Sequence, residues 1–187
     1  AGVDPQHAAR VIRRSAEHLT NLVEGLLDLA SVEQGVVRVD SGVVRARALV
    51  QQVAEMFAPL AAQKGLTFNC DLPDRFPEFV RMDERRVRQA LINLVSNAVK
   101  FTEVGQVTLA FGWTGQMATF EVRDTGPGIA DDRREAIFAP YVRADAAEPQ
   151  DGAGLGLAIT SAIVRMLGGD LQLESAPGMG SLFRVVI

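Results

Sequence analysis

Apolar and polar positions alternate along this chain with two clear periods. Ile12, Ser15, Leu19, Leu22, Leu26 and Leu29 stand at spacings of three and four, flanked by Ala16, Val23 and Ala30. This seven-residue repeat predicts one long helix from Pro5 to Glu33, ending before Gly35. At 1.5 Å per residue it would be a rod of roughly 40 Å. No second stripe of this kind occurs in the chain, so the rod's partner is expected upstream or on another molecule.

From Gly35 the pattern changes. Val37, Val39 and Val43 predict a short strand. Arg47 to Lys64 predicts a helix burying Leu49, Val50, Val53, Met56, Phe57 and Leu60, with Lys64-Gly65 as its stop. Leu66, Phe68 and Cys70 alternate as a strand, and Pro73 and Pro77 mark a loop. Asp83 is placed to cap a second helix, whose buried face is Val87, Ala90, Leu91, Leu94, Val95 and Ala98. A hairpin follows: Val107, Leu109, Phe111 and Trp113 out, a turn at Thr114-Gly115, and Ala118, Phe120 and Val122 back, with Asp124 just past the strand. A short helix is expected over 131–138, a loop over 139–153, a helix over 154–167 stopped by Gly168-Gly169, and a closing pair of strands at Leu171–Leu173 and Leu182–Ile187. The expected architecture is an α/β two-layer sandwich, a mixed sheet with helices on one face, preceded by one long helix. The division falls near residue 35, giving segments 1–34 and 35–187.

Composition narrows the class. With 187 residues, 48% of them hydrophobic, the chain can bury one substantial core. A net charge of -4 argues against nucleic acid as a partner. No apolar run approaches the ~18 residues of a membrane span, so no membrane contact is expected. The single Cys70 cannot form an internal disulfide, and it reads as a small buried hydrophobe at a strand end. The opening Ala1 implies a piece of a longer protein.

Three polar segments interrupt these patterns in a fixed order. Asn93, Asn97 and Lys100 share one face of the second helix. Amide oxygens are suitable hard ligands for Mg²⁺, and a lysine suits a phosphate; a solvated polar helix face fits the same spacing. Asp124-Thr125-Gly126-Pro127-Gly128 follows a strand, where a carboxylate can accept a hydrogen bond from an exocyclic amine. An ordinary Asp-Gly-Pro turn has the same composition. Gly152, Gly154 and Gly156 lead into a helix start, which suits a phosphate, although a flexible hinge is equally compatible. This run lacks the Lys-Ser or Lys-Thr of a P-loop and the preceding strand of a dinucleotide fingerprint.

Taken together, these segments resemble the catalytic domain of sensor histidine kinases, part of an ATPase superfamily that includes DNA gyrase, MutL and a heat-shock chaperone. Asn93 to Lys100 resembles the N box, Asp124 to Ile129 the first glycine box, Ile137-Phe138 the phenylalanine box and Gly152 to Leu157 the second glycine box. The first helix, with Leu26-Leu27-Asp28-Leu29-Ala30 near its end, resembles the second helix of the dimerisation and phosphotransfer hairpin. The resemblance implies ATP and Mg²⁺ as cofactors. Asn97 would ligate the metal, Asn93 would order the phosphates and Lys100 would contact them. Phe101 would pack on adenine and Asp124 would read its amino group, with Gly126, Gly128 and Ile129 shaping the pocket. Arg143 would reach the terminal phosphate. Gly152, Gly154, Leu155, Gly156 and Leu157 would close the phosphate end, with residues 144–152 as a lid. Asn93, Asn97 and Arg143 would be the catalytic set.

The implied partners are a response-regulator receiver domain and a second copy joined through the helical hairpin, and the implied location is the cytoplasm, with a parent that can be membrane-anchored. The family's acceptor histidine is followed by an acidic residue and soon by a proline. His7 precedes Ala8-Ala9-Arg10 and His18 precedes Leu19-Thr20-Asn21, so neither fits and the acceptor is expected upstream. Two other functions remain to be weighed: a nucleotide-binding regulatory module without phosphotransfer, and an ATP-hydrolysing relative, which would usually carry Glu where Asn93 stands.

Overall fold

The computed structural model describes Val23 and residues 39–142 and 154–187. The expected rod of residues 5–33 therefore lies outside the described residues apart from Val23, which is helical and exposed. Five strands form the main sheet: β2 (Thr67–Asp71), β4 (Gln106–Thr114), β5 (Met117–Asp124), β6 (Asp170–Ser175) and β7 (Ser181–Val186). Their order is β2-β4-β5-β7-β6. The β2–β4 pair is parallel and the other pairs are antiparallel, so the sheet is mixed as expected.

The alternation read along the hairpin places Val107, Leu109 and Phe111 of β4 on the same face as Ala118, Phe120 and Val122 of β5, all buried. Helices α1 (Ala46–Gln63), α2 (Glu84–Phe101) and α3 (Gly156–Met166) cover that face. The opposite face is polar. There Arg184 is paired with Glu121 at 2.7 Å and with Glu174 at 3.0 Å.

Helix α2 forms where its pattern places it. Asp83 caps it, accepting the Arg86 backbone N–H at 3.1 Å, and all six expected apolar positions are buried. The second Asp83 oxygen accepts the Asp40 N–H at 3.0 Å, which fixes the entering chain to the start of this helix. Arg86, buried beside it, stands 3.6 Å from the same carboxylate.

Several expectations change. Among the described residues the first strand is β1 (Gly42–Val44), which holds the expected Val43 but not Val39, while Val37 lies outside the described residues. It pairs antiparallel with β3 (Val80–Met82), which periodicity did not reveal, in a separate two-stranded sheet. In α1, Met56 and Leu60 are 49% and 45% exposed. The buried stripe drifts around that helix, from Ala46, Leu49, Val50 and Val53 to Ala54, Phe57 and Ala61, and leaves both outside. Cys70 is exposed, because β2 is an edge strand whose far end outruns the helical cover. Burial of the thiol's immediate surroundings and the Asp71 charge hold its pKa above the ordinary thiol value. Asp124 is the last residue of β5 rather than past it, pairing with Val107 and Ser181. The hairpin turns at Gly115-Gln116. The helix expected over 131–138 is two 3-10 turns, Asp131–Arg133 and Ala136–Phe138. Helix α3 begins at Gly156, two residues later than expected.

Candidate functional site

The edge of α2 carries Asn93, Asn97 and Lys100, each half-buried beside the apolar stripe. Helix α3 packs against this helix through Ala90, Leu155, Ile159 and Ile163. That contact delivers the first residue of α3 to the two asparagines. Asn93 Nδ2 donates to the Gly156 carbonyl at 3.4 Å, and Thr160 Oγ1 donates to the same oxygen at 2.9 Å. A Cβ on Gly156 would stand 4.0 Å from both Asn93 Cγ and Asn97 Nδ2, so the backbone passes directly beneath the two amides. The N-cap residue of α3, Leu155, makes no side-chain cap hydrogen bond. Leading N–H groups at such a helix start suit an anion.

The other end of α2 meets the Asp124 turn. Thr102, fully buried, donates its hydroxyl to Ala98 O at 2.7 Å and ends the helix. A Cβ on Gly126 would lie 3.3 Å from Thr102 Oγ1, 3.4 Å from Phe101 O and 2.9 Å from Asp124 Oδ1, so the turn is pressed against the helix end. Asp124 is buried, and its Oδ1 accepts the Gly126 N–H at 2.8 Å. Burial raises its carboxyl pKa, while the Gly126 and Ser181 amides pull it down. Gly128 has φ +71, and a Cβ there would overlap the Ala176 carbonyl oxygen. Ile129 spends its N–H on Ser175 Oγ at 2.8 Å, so that amide is not offered to a ligand. Phe101 is 45% exposed, with Lys100 Nζ 5.1 Å above its ring centroid.

Two groups of expected residues are thus brought together, Asn93, Asn97 and Gly156 at one end and Phe101, Gly126 and Asp124 at the other. Eight residues of α2 separate Asn93 from Phe101, about 12 Å of helix. Gly154, with φ +69, accepts the Tyr141 N–H at 3.1 Å. The Leu155 side chain is buried between α2 and α3 and Leu157 packs on the main core, so both can offer a ligand only backbone groups. Ile137 is buried, and Phe138 meets the Phe183 ring edge-on at 6.5 Å. Arg143 and Gly152 lie outside the described residues, as does the whole of the expected lid.

Lys64, Thr102, Ser175, Gly180 and Ser181 also shape this region, and motif reading passed over them. Lys64 carries a local signal only as a helix stop, and Gly180 only as the second glycine of a turn between two apolar strands. Among the described residues, no helix is long and apolar enough to cross a membrane, and no group of three or more His, Cys, Asp or Glu could hold a metal ion.

Residues 82–187 match the model of the family described as Histidine kinase-, DNA gyrase B-, and HSP90-like ATPase. The chain is 37% identical over 182 residues to the aerobic respiration control sensor protein ArcB of Escherichia coli K12, covering 95% of this chain and 23% of that protein. It is 33% identical over 186 residues to the autoinducer 2 sensor kinase/phosphatase LuxQ of Vibrio cholerae, covering 96% of this chain and 22% of that protein. The chain thus spans about a quarter of the curated relatives it matches. Among solved structures, full-length ShkA in complex with AMPPNP superposes with a TM-score of 0.81 at 35% identity, over 99% of this chain and 39% of that one. The nucleotide-free catalytic domain of histidine kinase ThkA superposes with a TM-score of 0.69 at 27% identity, over 79% of this chain and 95% of that one.

Proposed function

Since the chain belongs to the Histidine kinase-, DNA gyrase B-, and HSP90-like ATPase family, as the ATP-binding catalytic domain of a sensor histidine kinase, we propose that its parent moves the γ-phosphoryl of ATP to a histidine and then to an aspartate of a response-regulator receiver domain. The observation that carries this reading is the placement of two polar clusters at opposite ends of one α2 segment. Asn93 and Asn97 lie over Gly156, and Asp124 and Gly126 abut Phe101 and Thr102. An ATP laid along the helix would put adenine at Asp124 and its phosphates at the start of α3.

The residues divide the work. Asp124 accepts the adenine amino N–H, and Phe101 offers a ring face beside it. Lys100 and the leading amides of α3 neutralise phosphate charge. Asn93, tied to Gly156, keeps the helix edge and the phosphate-facing backbone in one geometry. Asn97 fits a single protein ligand to Mg²⁺, with phosphate and water oxygens completing the shell. When bound, the metal would supply neutralisation of the phosphate charge. Transfer breaks the bond from the γ-phosphorus to the β–γ bridging oxygen and forms one to an imidazole nitrogen. Positioning and charge supply most of the acceleration. An asparagine at position 93 has no carboxylate with which to activate water, which favours transfer over hydrolysis. Arg143 and Gly152 would complete the phosphate end.

Residues 1–34 would form part of the dimerisation and phosphotransfer helices, with 35–187 as the catalytic unit working beside a second copy in the cytoplasm. Titration of the chain with ATP, with and without Mg²⁺, followed by incubation with γ-labelled ATP, tests this reading. The expected result is Mg²⁺-dependent binding, no acid-labile label on His7 or His18, and label on a histidine once the chain is supplied with a family-type acceptor helix. Binding without transfer in that last arm would instead support a regulatory nucleotide module. Absence of ATP binding would defeat both.

A further inference from the structure

Behind the Asp124 turn, a single hydroxyl joins three parts of the fold. Ser175, the last residue of β6, accepts the Ile129 N–H at 2.8 Å and donates to the Gly180 carbonyl at 2.8 Å. Its Oγ also lies 3.1 Å from Ser181 Oγ. A serine hydroxyl has one proton and two lone pairs. With Ser181 as donor, every one of them is used inside the protein. The Ser175 carbonyl in turn accepts the Arg134 guanidinium, which ties in the 3-10 turn that follows the glycine box.

The partners of this hydroxyl belong to the residues that flank Asp124. Ile129 closes the turn that Asp124 opens. Gly180 has φ +77 and packs so closely on the Asp124 backbone that a Cβ would overlap the Asp124 carbonyl oxygen. Ser181 is the cross-strand partner of Asp124 in the β5–β7 register. The Gly178 N–H donates to Pro127 O at 2.7 Å, adding a second tie between the β6–β7 turn and the glycine turn. Asp124 itself is anchored on one side by its strand. The return path of its turn, from Gly126 to Ile129, is held by the Ser175 hydroxyl and the Gly178 amide.

We propose that Ser175 is a positioning residue for base recognition, its hydroxyl fixing the Ile129 and Gly180 backbones so that the Asp124 carboxylate meets an exocyclic amine rather than a carbonyl. This rests on the reading of Asp124 as the adenine acceptor. It places a determinant of purine selectivity on a strand end outside all three polar motifs, where it has no need to touch the nucleotide.

The test compares ATP with inosine triphosphate, in which a carbonyl replaces the amino group, by titration calorimetry on the full 187-residue chain. Wild type should prefer ATP. Ser175→Ala should weaken ATP binding about fivefold while changing inosine triphosphate binding much less, so that the preference shrinks by a similar factor. Ser175→Thr retains the hydroxyl and should retain the preference. Hydrogen exchange at the Ile129 amide should accelerate in Ser175→Ala alone. If Ser175→Ala does not fold, Ser175→Cys, with its weak S–H donor, should show the same loss in part. An unchanged preference in whichever of these variants folds would overturn the proposal and reduce Ser175 to a purely structural role, whatever the change in melting temperature. A wild-type chain that binds ATP without preferring it would remove the Asp124 reading and this proposal with it, and leave nucleotide binding itself standing.

Discussion

The chain's two lysines meet end to end: Lys64 Nζ donates to the carbonyl of Lys100 at 2.8 Å. The same ammonium reaches Val99 O at 2.8 Å and Thr102 O at 3.0 Å. A residue just past the end of α1 therefore clamps the last turn of α2, where the helix dipole favours a cation. Lys64→Met should lower stability by about 1–2 kcal/mol, a fall of roughly 3–6 °C in melting temperature. Lys64→Arg should recover part of it. Thermal melts of the three proteins without nucleotide decide the matter, and equal midpoints would show that water replaces the ammonium at no cost.

Glycine is required at 128 for two reasons that can be separated from position 178. Both have positive φ, +71 and +76, but only a Cβ at 128 meets the neighbouring backbone, while Gly178 has nothing within 4 Å. Gly178→Ala carries the conformational cost alone, about 1 kcal/mol. Gly128→Ala must also displace the Ala176 carbonyl, for a total of roughly 2–4 kcal/mol. It should also weaken ATP binding, which Gly178→Ala should leave near wild type. Chemical denaturation and nucleotide titration of both variants check the contrast.

On the proposed reading, Asp124 opposes stability to recognition. Its folded pKa lies above the ordinary carboxylate range, chiefly from burial. A folded value above the unfolded one means that the folded chain holds the proton to higher pH. Stability from the protonated form is thus present in acid and is lost as pH rises from the unfolded value through the folded one. At neutral pH the ionised group is a standing cost, so Asp124→Asn should fold at least as stably as wild type there. It should nevertheless bind ATP about ten- to a hundredfold more weakly, having lost a charge-assisted acceptor. The gap between the two proteins should narrow as pH falls below neutral into acid, as wild type takes up its proton. A gap independent of pH would argue against the carboxylate as the adenine contact.

Asn97 offers a separate handle on the metal. In wild type, Mg²⁺ should strengthen ATP binding, and chelation should reverse this. Asn97→Ala should lose about tenfold or more of that gain while its binding of metal-free ATP changes little. Calorimetric titrations in Mg²⁺ and in EDTA give the two numbers. A variant that keeps the full gain would move the metal ligand elsewhere.

What was legible in the sequence was local. The stripe of α2, its Asp83 cap and the alternation of the β4–β5 hairpin all depend on neighbours within a few residues, and all three stand as read. The polar motifs were legible because asparagines and glycines are costly to keep beside a core without a reason. What escaped depends on distant partners. Strand β3 has three residues and pairs with β1, nearly forty residues away. Lys64 acts 36 residues from its position, and Ser175 acts 46. Residue type and alternation predict a buried Cys70, but neither says whether a strand lies at the sheet's edge, as β2 does. Met56 and Leu60 are exposed because α1 does not bury one fixed angular sector along its length.

The distance between α2 and α3, where the proposed phosphate site lies, is set largely outside the polar motif residues. Leu155 of the second glycine box, together with Ala90, Ile159 and Ile163, holds the two helices apart. A methylene gained or lost there would shift Gly156 relative to Asn93 and Asn97 without changing any polar residue. Related domains with identical motifs can therefore drift apart in turnover through neutral-looking aliphatic exchanges, and comparing motifs alone would not reveal the cause.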